Sequence, residues 1–588
     1  MMSSIADTQE MSMPKATTFP EAFQQTVAAH PDELALRTAD DSISLTWRQY
    51  ADEVERIAGG FAALGLKRGD SFMAMLSNRP EFNITEVAAS HLGATTYSIY
   101  NTSSPEQIKY LIEHGGAKVI LCDEQFADRI KDSGAAPEHL LVVEAGDLDK
   151  LQPADDFDFE ATWRAVQPDD VLCLIYTSGT TGNPKGVQHT HGGVLRLIEA
   201  FEAIWPIGAG DRTISYFPSC HAGDRFISHY YAAAKGAQVT SVGDLTQLAQ
   251  VLGQVRPTYF CAVPRVWEKL KTALDLAFEE ARGPKAALLH RALELADKRA
   301  KGEALGALER AQFSMLDRAV LAKVRAKLGL DQLKWALSGA AQIPPGVYAF
   351  LKQLGLPVAE MWGMSECMVG TGTTAEEAKI GTVGKIAPGA EAKVAEDGEL
   401  LVRMPWMMRG YRNDPEQTAE AIDAEGWLHT GDVVTVDDEG YFKIVDRKKE
   451  LIINSGGKNM SPSNIEGAIA AGSPLIGPTL AYGDGRSYNV ALITLDPEAA
   501  AVYANRLGVD ADPAALVKDE RILAEIQASV DSGNEKLSRI EQIKKFTVLP
   551  DYWLPGGDEM TPTSKLKRRP IARKYAAEID ELYARSDT

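Results

Sequence analysis

Apolar residues recur along this chain in two alternating rhythms. Behind Thr46, a residue suited to capping a helix N-terminus, come Tyr50, Val54, Ile57, Phe61 and Leu64 at three- and four-residue spacing, then Gly65. That spacing predicts an amphipathic helix ending near the glycine. Short apolar runs at 72–76, 119–122, 141–143 and 171–175 predict strands, and 105–114 reads as a helix between them. Such alternation predicts α/β layers with largely parallel sheets. Residues 266–328 break the rhythm, being rich in Ala, Leu, Lys, Arg and Glu. There Leu270, Leu274, Ala277 and Ala281 keep helical spacing, Gly283-Pro284 interrupts, and Leu288, Ala292, Leu295 and Arg299 resume it. This reads as a surface helical hairpin packed on the α/β body in preference to a separate helical domain. Beyond Arg447, charge, apolar residues and glycine alternate quickly over 448–457; a helix near 463–471 and a strand over 490–495 follow. The expected organisation is a mobile tail over 1–17, a large α/β domain of layered mixed sheets and helices over 18–447, and a small α+β domain over 448–588.

At 588 residues the chain is too long for one ordinary core. Its 45% apolar and 24% charged residues are those of a soluble globular protein. A net charge of −21 argues against a nucleic-acid partner, which calls for basic surface. The five cysteines are scattered and form no C-x-x-C pair, so reduced structural thiols in a cytoplasmic protein are expected, with neither a disulfide framework nor a zinc site. The first 17 residues lack the apolar core of a signal peptide, and no apolar run is long enough to span a bilayer. Peripheral membrane contact and a homodimer both stay open.

The stretch richest in chemistry is Tyr176-Thr-Ser-Gly-Thr-Thr-Gly-Asn-Pro-Lys-Gly186, directly after the apolar run 171–175. Hydroxyls and close-approaching backbone N–H groups around one lysine suit a polyphosphate. The spacing is not that of the G-x-x-x-x-G-K-[ST] loop of kinases and GTPases, because Gly182 lies three residues before Lys185. By loop composition alone, a flexible Gly/Ser/Thr connection would serve equally well.

The whole string resembles the phosphate-binding signature of the adenylate-forming superfamily of acyl-CoA synthetases, luciferases and adenylation domains. Further strings resemble that family's blocks and fall in its order. They are Phe217-Pro-Ser-Cys-His221, Ser338-Gly-Ala-Ala341, Met361-Trp-Gly-Met-Ser-Glu366, Gly381-Thr-Val-Gly384, Gly426-Trp-Leu-His-Thr-Gly-Asp432, Tyr441 through Glu450, and Thr561-Pro-Thr-Ser-Lys-Leu-Lys-Arg-Arg569. Within the superfamily, Val263-Pro-Arg-Val-Trp-Glu-Lys269 with the helical insertion, and Gly456-Gly-Lys-Asn-Met-Ser-Pro462, are similar to long-chain fatty-acyl-CoA synthetases.

The resemblance implies a set of roles. Thr177, Ser178, Gly179, Thr180, Thr181, Gly182 and Lys185 would surround the phosphates of ATP. Gly339 and Ala340 would line the adenine and acyl pocket, with Met361, Trp362, Gly363 and Met364 beside the nucleotide and Ser365 at the α-phosphate. Glu366 would bind Mg2+, consistent with a hard cation's need for carboxylate oxygen. Asp432 and Arg447 would take the ribose, and Gly456, Gly457 and Lys458 would also meet the nucleotide. His221, with Gly339 and Trp362, would face the substrate carboxylate, which is already ionised and needs no base. Lys565 is the implied catalytic lysine, with Ser564 where the family usually has Gly and Lys567 as competitor. Lys449 would be the hinge of a mobile C-terminal lid. The implied activity is ATP-dependent medium- or long-chain fatty-acid–CoA ligation through an acyl-adenylate, with coenzyme A as co-substrate. A fatty-acyl-AMP ligase loading a carrier protein and an aryl-acid–CoA ligase are the alternatives.

Overall fold

The computed structural model describes residues 15–177, 183–456, 458–561 and 565–584. Most of the tail expected over 1–17 lies outside them. The helix expected behind Thr46 spans Trp47–Ala63 and starts with a full capping box: Thr46 accepts from Gln49 N–H, and the Gln49 side chain accepts from Thr46 N–H. Its Tyr50, Val54, Ile57 and Phe61 are buried, while Gly65 follows with φ of 81°.

The central sheet runs Gly410–Tyr411, Lys185–Thr190, Val171–Thr177, Thr95–Ser98, Ser71–Met75, Ala117–Cys122, His139–Val142. From Val171–Thr177 to His139–Val142 every pairing is parallel. The two strands on the other flank are antiparallel, so the sheet is mixed. Tyr259–Ala262, Trp335–Ser338 and Val358–Glu360 form a separate, wholly parallel sheet. Arg212–Ser215 lies in a third sheet beside Gln238–Ser241. An antiparallel sheet holds Leu428–Val436 against Phe442–Arg447. The small C-terminal sheet pairs Ile476–Tyr482, Asn489–Leu495 and Ile543–Val548.

The insertion is more than a hairpin. Helices Pro264–Glu280, Gly283–Ala300 and Ala307–Leu316 are followed by a π-helical turn, Asp317–Leu321, and a last helix, Ala322–Leu328. Trp267, Leu274, Leu289, Leu295 and Leu316 share one apolar cluster with Phe260, Ala336 and Tyr348 of the parallel sheet and its helix, so the insertion is packed on the body. The expected face holds at Ala292 and Leu295, both buried, but not at its first position: Leu288 is 48% exposed and Leu289 is buried. Both are leucines, and only the tertiary partner separates them.

Three apolar clusters draw their buried members from residues 19–442, and two from residues 452–582; none draws from both. The chain between 443 and 451 therefore connects two cores. The segments carrying chemistry leave the carboxyl ends of neighbouring parallel strands: residues 339–343 after Ser338 and 361–366 after Glu360. This is where open α/β sheets bind ligands, because loops there converge on one crevice.

Candidate active site

Strands Val171–Thr177 and Lys185–Thr190 form a hairpin that sets Thr177 opposite Lys185. Ser178, Gly179, Thr180, Thr181 and Gly182, between them, lie outside the described residues. Gly410–Tyr411 clamps the outer strand, pairing with Val187 and Gln188. Tyr411 ties the phosphate-loop lysine to the carboxylate of the later motif. The Lys185 ammonium sits 4.7 Å over its ring, and its hydroxyl donates to Glu366 Oε1 at 2.7 Å. The Glu366 carbonyl also accepts from Met408 N–H at 2.8 Å. A cavity of about 280 Å³ opens beside this group, lined by Lys185, Arg412, His114, Asn183, Tyr411 and Gln417 among others.

The turn 361–366 is shaped by close approach. A Cβ on Gly363 would lie 1.8 Å from the Met368 carbonyl oxygen, so no other residue fits there. Met361 and Trp362 bond back through their N–H groups to Ser338 and Thr371. His189 donates to the Ser365 carbonyl at 2.7 Å, and burial pushes its pKa down to about 4, so it is neutral. Trp362 is buried, with no room for a Cβ on Gly370 beneath its ring, and its indole N–H donates to Asp432 Oδ2 at 2.8 Å. The other oxygen, Oδ1, meets Arg447 Nε at 2.8 Å across the Leu428–Val436/Phe442–Arg447 pairing. Trp362 thus orients Asp432, a role its motif did not disclose.

Lys565 enters from the C-terminal segment, held by a bond from its N–H to Thr561 Oγ1 at 3.0 Å. The residue is solvent-exposed, yet protein crowds around its side chain. That crowding, and the Arg447 guanidinium, push its pKa below the usual lysine range, while Asp432, Glu450 and Glu366 act the other way. Lys567 is occupied elsewhere, donating to the Gly557 carbonyl at 2.9 Å. His221 caps the short helix after it, its Nδ1 accepting from Gly223 N–H at 3.1 Å. Burial, then the charge of Lys565, push its pKa down to about 4. With Nδ1 an acceptor on a neutral ring, the remaining proton is on Nε2. Gly339 is half-buried, and Ala340 is exposed at the left-handed φ of 69°, a conformation few alanines adopt.

Gly456 and Lys458 are not brought into this cluster. They sit exposed on a hairpin whose bonds run to Arg486 and Asp484 of the C-terminal part; Gly457 lies outside the described residues. Lys449 is exposed one residue after Lys448, which is anchored on Glu399 at 2.9 Å and on Asp397. Motif reading missed Tyr411, His189 and a buried ion pair between Arg225 and Glu86. The Arg225 guanidinium also donates to the Ser219 carbonyl at 3.2 Å, bracing the loop that carries His221. Arg225 carried no sequence signal; in the structure it opens a π-helical segment, a feature frequent near functional sites.

Lys185 beside Tyr411 and Glu366, Asp432 held by Trp362 and Arg447, and Lys565 brought near Asp432, Arg447 and Glu366 from the C-terminal segment match the arrangement that the motifs led one to expect. Comparison with known proteins agrees: residues 23–412 match the family described as AMP-binding enzyme, and residues 449–587 match the AMP-binding enzyme C-terminal domain. The chain belongs to the AMP-binding enzyme family. A Mycobacterium tuberculosis protein named as a fatty-acid–CoA ligase, fadD11, is 52% identical over 444 residues, 74% of this chain and 78% of that protein. The long-chain-fatty-acid–CoA ligase FadD15 of Mycobacterium bovis is 34% identical over 575 residues, 94% of this chain and 95% of that one. The crystal structure of the anthranilate CoA ligase AuaEII with anthranoyl-AMP superposes with a TM-score of 0.73 at 19% identity, covering 96% and 99% of the two chains; at that identity it speaks for the fold. Among the described residues no helix is long and apolar enough to cross a membrane.

Proposed function

We propose that this protein is an AMP-forming fatty-acid–CoA ligase. The observation that carries the chemistry is that Lys565 lies within electrostatic reach of Asp432, Arg447, Glu366 and His221, beside the Asp432–Arg447 pair. The relatives named as fatty-acid–CoA ligases, similar over 74% and 94% of the chain, support the acyl substrate. In the first half-reaction a carboxylate oxygen attacks the α-phosphorus of ATP, the bond to the β-phosphate oxygen breaks, and pyrophosphate leaves. Both reactants are anionic, so they meet only where fixed positive charge offsets their repulsion. Lys565 and Lys185 provide it, with Thr177 at the mouth of the hairpin. Asp432, its oxygens held by Trp362 and Arg447, accepts from the ribose hydroxyls. His221 presents an N–H to the substrate carboxylate and acts as no base.

Glu366 fits a magnesium ion: one of its oxygens is held by Tyr411, leaving the other for a cation that takes its remaining ligands from phosphate and water. Bound there, the ion would neutralise phosphate charge.

In the second half-reaction the CoA sulfur attacks the acyl carbon, its proton is lost to solvent, and AMP leaves. Lys565 is not needed, and its segment stands in the cleft. Rotation about Lys449 would withdraw it and swing the hairpin of Gly456 and Lys458 inward. Each methylene buried in an acyl channel contributes about 0.8 kcal/mol, which favours long chains.

The test is a panel of saturated acids and a cinnamate, assayed for nucleotide and thioester products. AMP, pyrophosphate and acyl-CoA are expected, with the highest kcat/KM between dodecanoate and hexadecanoate. ADP and phosphate as the only nucleotide products would sink the class. A better rate with acetate or cinnamate would sink the substrate. Acyl-adenylate accumulating with CoA unused would point to a carrier-protein acceptor.

A further inference from the structure

The string Val263-Pro-Arg-Val-Trp-Glu-Lys269 takes no part in the site described above, yet it reaches the other core. It opens the helix Pro264–Glu280, which Trp267 anchors by complete burial against Phe260. Arg265 and Lys269, four residues apart, share one exposed face of that helix. Across from them is the N-terminus of the helix Pro497–Leu507 in the C-terminal part. Arg265 Nη2 pairs with Asp496 Oδ2, and Lys269 Nζ pairs with Glu498 Oε1. Asp496 is fully committed: its Oδ1 caps the helix, accepting from Glu498 N–H at 3.2 Å and Ala499 N–H at 2.9 Å, and only 9% of its side chain is exposed.

These pairs differ in kind from the contacts beside the hinge. There Asp446 accepts from Ser461 Oγ at 2.6 Å and Ser463 N–H at 3.1 Å, next to the residues about which rotation would occur. Contacts at a pivot survive rotation; contacts joining elements more than 200 residues apart in sequence, away from the pivot, do not.

We infer that Arg265 and Lys269 are positioning residues for adenylation: with Asp496 and Glu498 they latch the C-terminal part in the pose that delivers Lys565, and release it for thioester formation. The inference rests on the two-step reaction proposed above. The Lys269–Glu498 pair is exposed and the Arg265 side chain of the other is half-exposed, so both are weak and salt-sensitive, which suits a latch that must open in every cycle.

The experiment compares wild type, Lys269→Glu, Arg265→Glu/Lys269→Glu, and a Lys269→Glu/Glu498→Lys swap in single turnovers. Pyrophosphate release reports adenylation, and thioester formation from supplied acyl-adenylate and CoA reports the second step. The double reversal should slow adenylation on the order of tenfold, as expected when two exposed pairs become repulsive, and leave the second step intact or faster. The swap should recover the share lost in Lys269→Glu alone. Raising salt should slow adenylation in wild type but not in the double reversal. Equal loss in both steps, or a swap that recovers nothing, overturns the latch.

A readout free of activity separates this from the reaction itself. Spin labels at Leu276→Cys and Val502→Cys, both exposed, report the separation of the two parts. The reversal should lengthen or broaden that distance, and an unchanged distribution overturns the latch. A shifted distribution in a protein that forms no acyl-adenylate supports the latch and overturns the reaction instead.

Discussion

At the scale of single residues, the site is governed by which oxygen of each carboxylate is already engaged. Asp432 and Glu366 were legible only through the resemblance of their strings to the family's blocks, since a lone Asp after Gly is more often a turn former. Their partners were not, since Trp362 lies 70 residues from Asp432 and Tyr411 45 residues from Glu366. The competition between Lys565 and Lys567 was open in the string; the hydrogen bond that Lys567 gives to the Gly557 carbonyl favours Lys565. Trp362→Phe keeps the buried ring and deletes only the indole N–H. A hydrogen bond to a charged group contributes about 1.5–3 kcal/mol, so KM for ATP should rise roughly ten- to hundredfold with folding unchanged. An unaltered KM would show that Arg447 alone orients Asp432.

Asp224 illustrates a residue whose charge state opposes stability. It is buried, accepts from Ser215 Oγ at 2.9 Å, and burial raises its pKa to about 7. A carboxyl whose folded pKa lies above its unfolded value costs stability as pH rises through that window, from about 4 to about 7. Asp224→Asn should therefore gain stability over wild type at pH 8, with the difference closing by pH 4. Denaturant midpoints measured across that range would check it; a gap independent of pH would contradict the cause.

At the scale of elements, the helix Trp47–Ala63 was readable because cap, period and stop agreed, and four strands of the central sheet were readable from their short apolar runs. The antiparallel flank was not. Nothing in the run 185–190 announces that its outer neighbour is the two-residue strand Gly410–Tyr411. On Gly283–Ala300 the buried Ala292 and Leu295 were readable, but the first position was not, since the adjacent Leu288 and Leu289 fit helical spacing equally well. The short flanking strand matters because it holds Tyr411 between Lys185 and Glu366. Tyr411→Phe retains the ring under Lys185 and frees the Glu366 carboxylate to turn. Groups that orient a metal ligand are worth about ten- to hundredfold in affinity. The magnesium concentration for half-maximal adenylation should rise accordingly, which a magnesium titration measures. An unchanged titration would exclude Glu366 as the ligand.

At the scale of the whole molecule, two cores share one reaction. Separate apolar clusters on either side of 443–451 let each part keep its fold while their relation changes. The composition change after Arg447 pointed to that connection, whereas the ion pairs from Arg265 and Lys269 to Asp496 and Glu498 had no local signature in either string. On the proposed reading the small part would serve the first step with Lys565 and, once turned, the second with a different surface.

The most direct test of this division is single-turnover measurement of each half-reaction in Lys565→Ala, with Lys449→Pro as its converse. Removing the Lys565 ammonium should slow adenylation on the order of 10²–10³-fold, the loss expected for one preorganised charge at the reacting centre. Thioester formation from supplied acyl-adenylate should persist. Proline at 449 restricts φ at the hinge and should spare adenylation while blocking the thioester step. Equal loss of both steps in a folded Lys565→Ala protein would contradict the account.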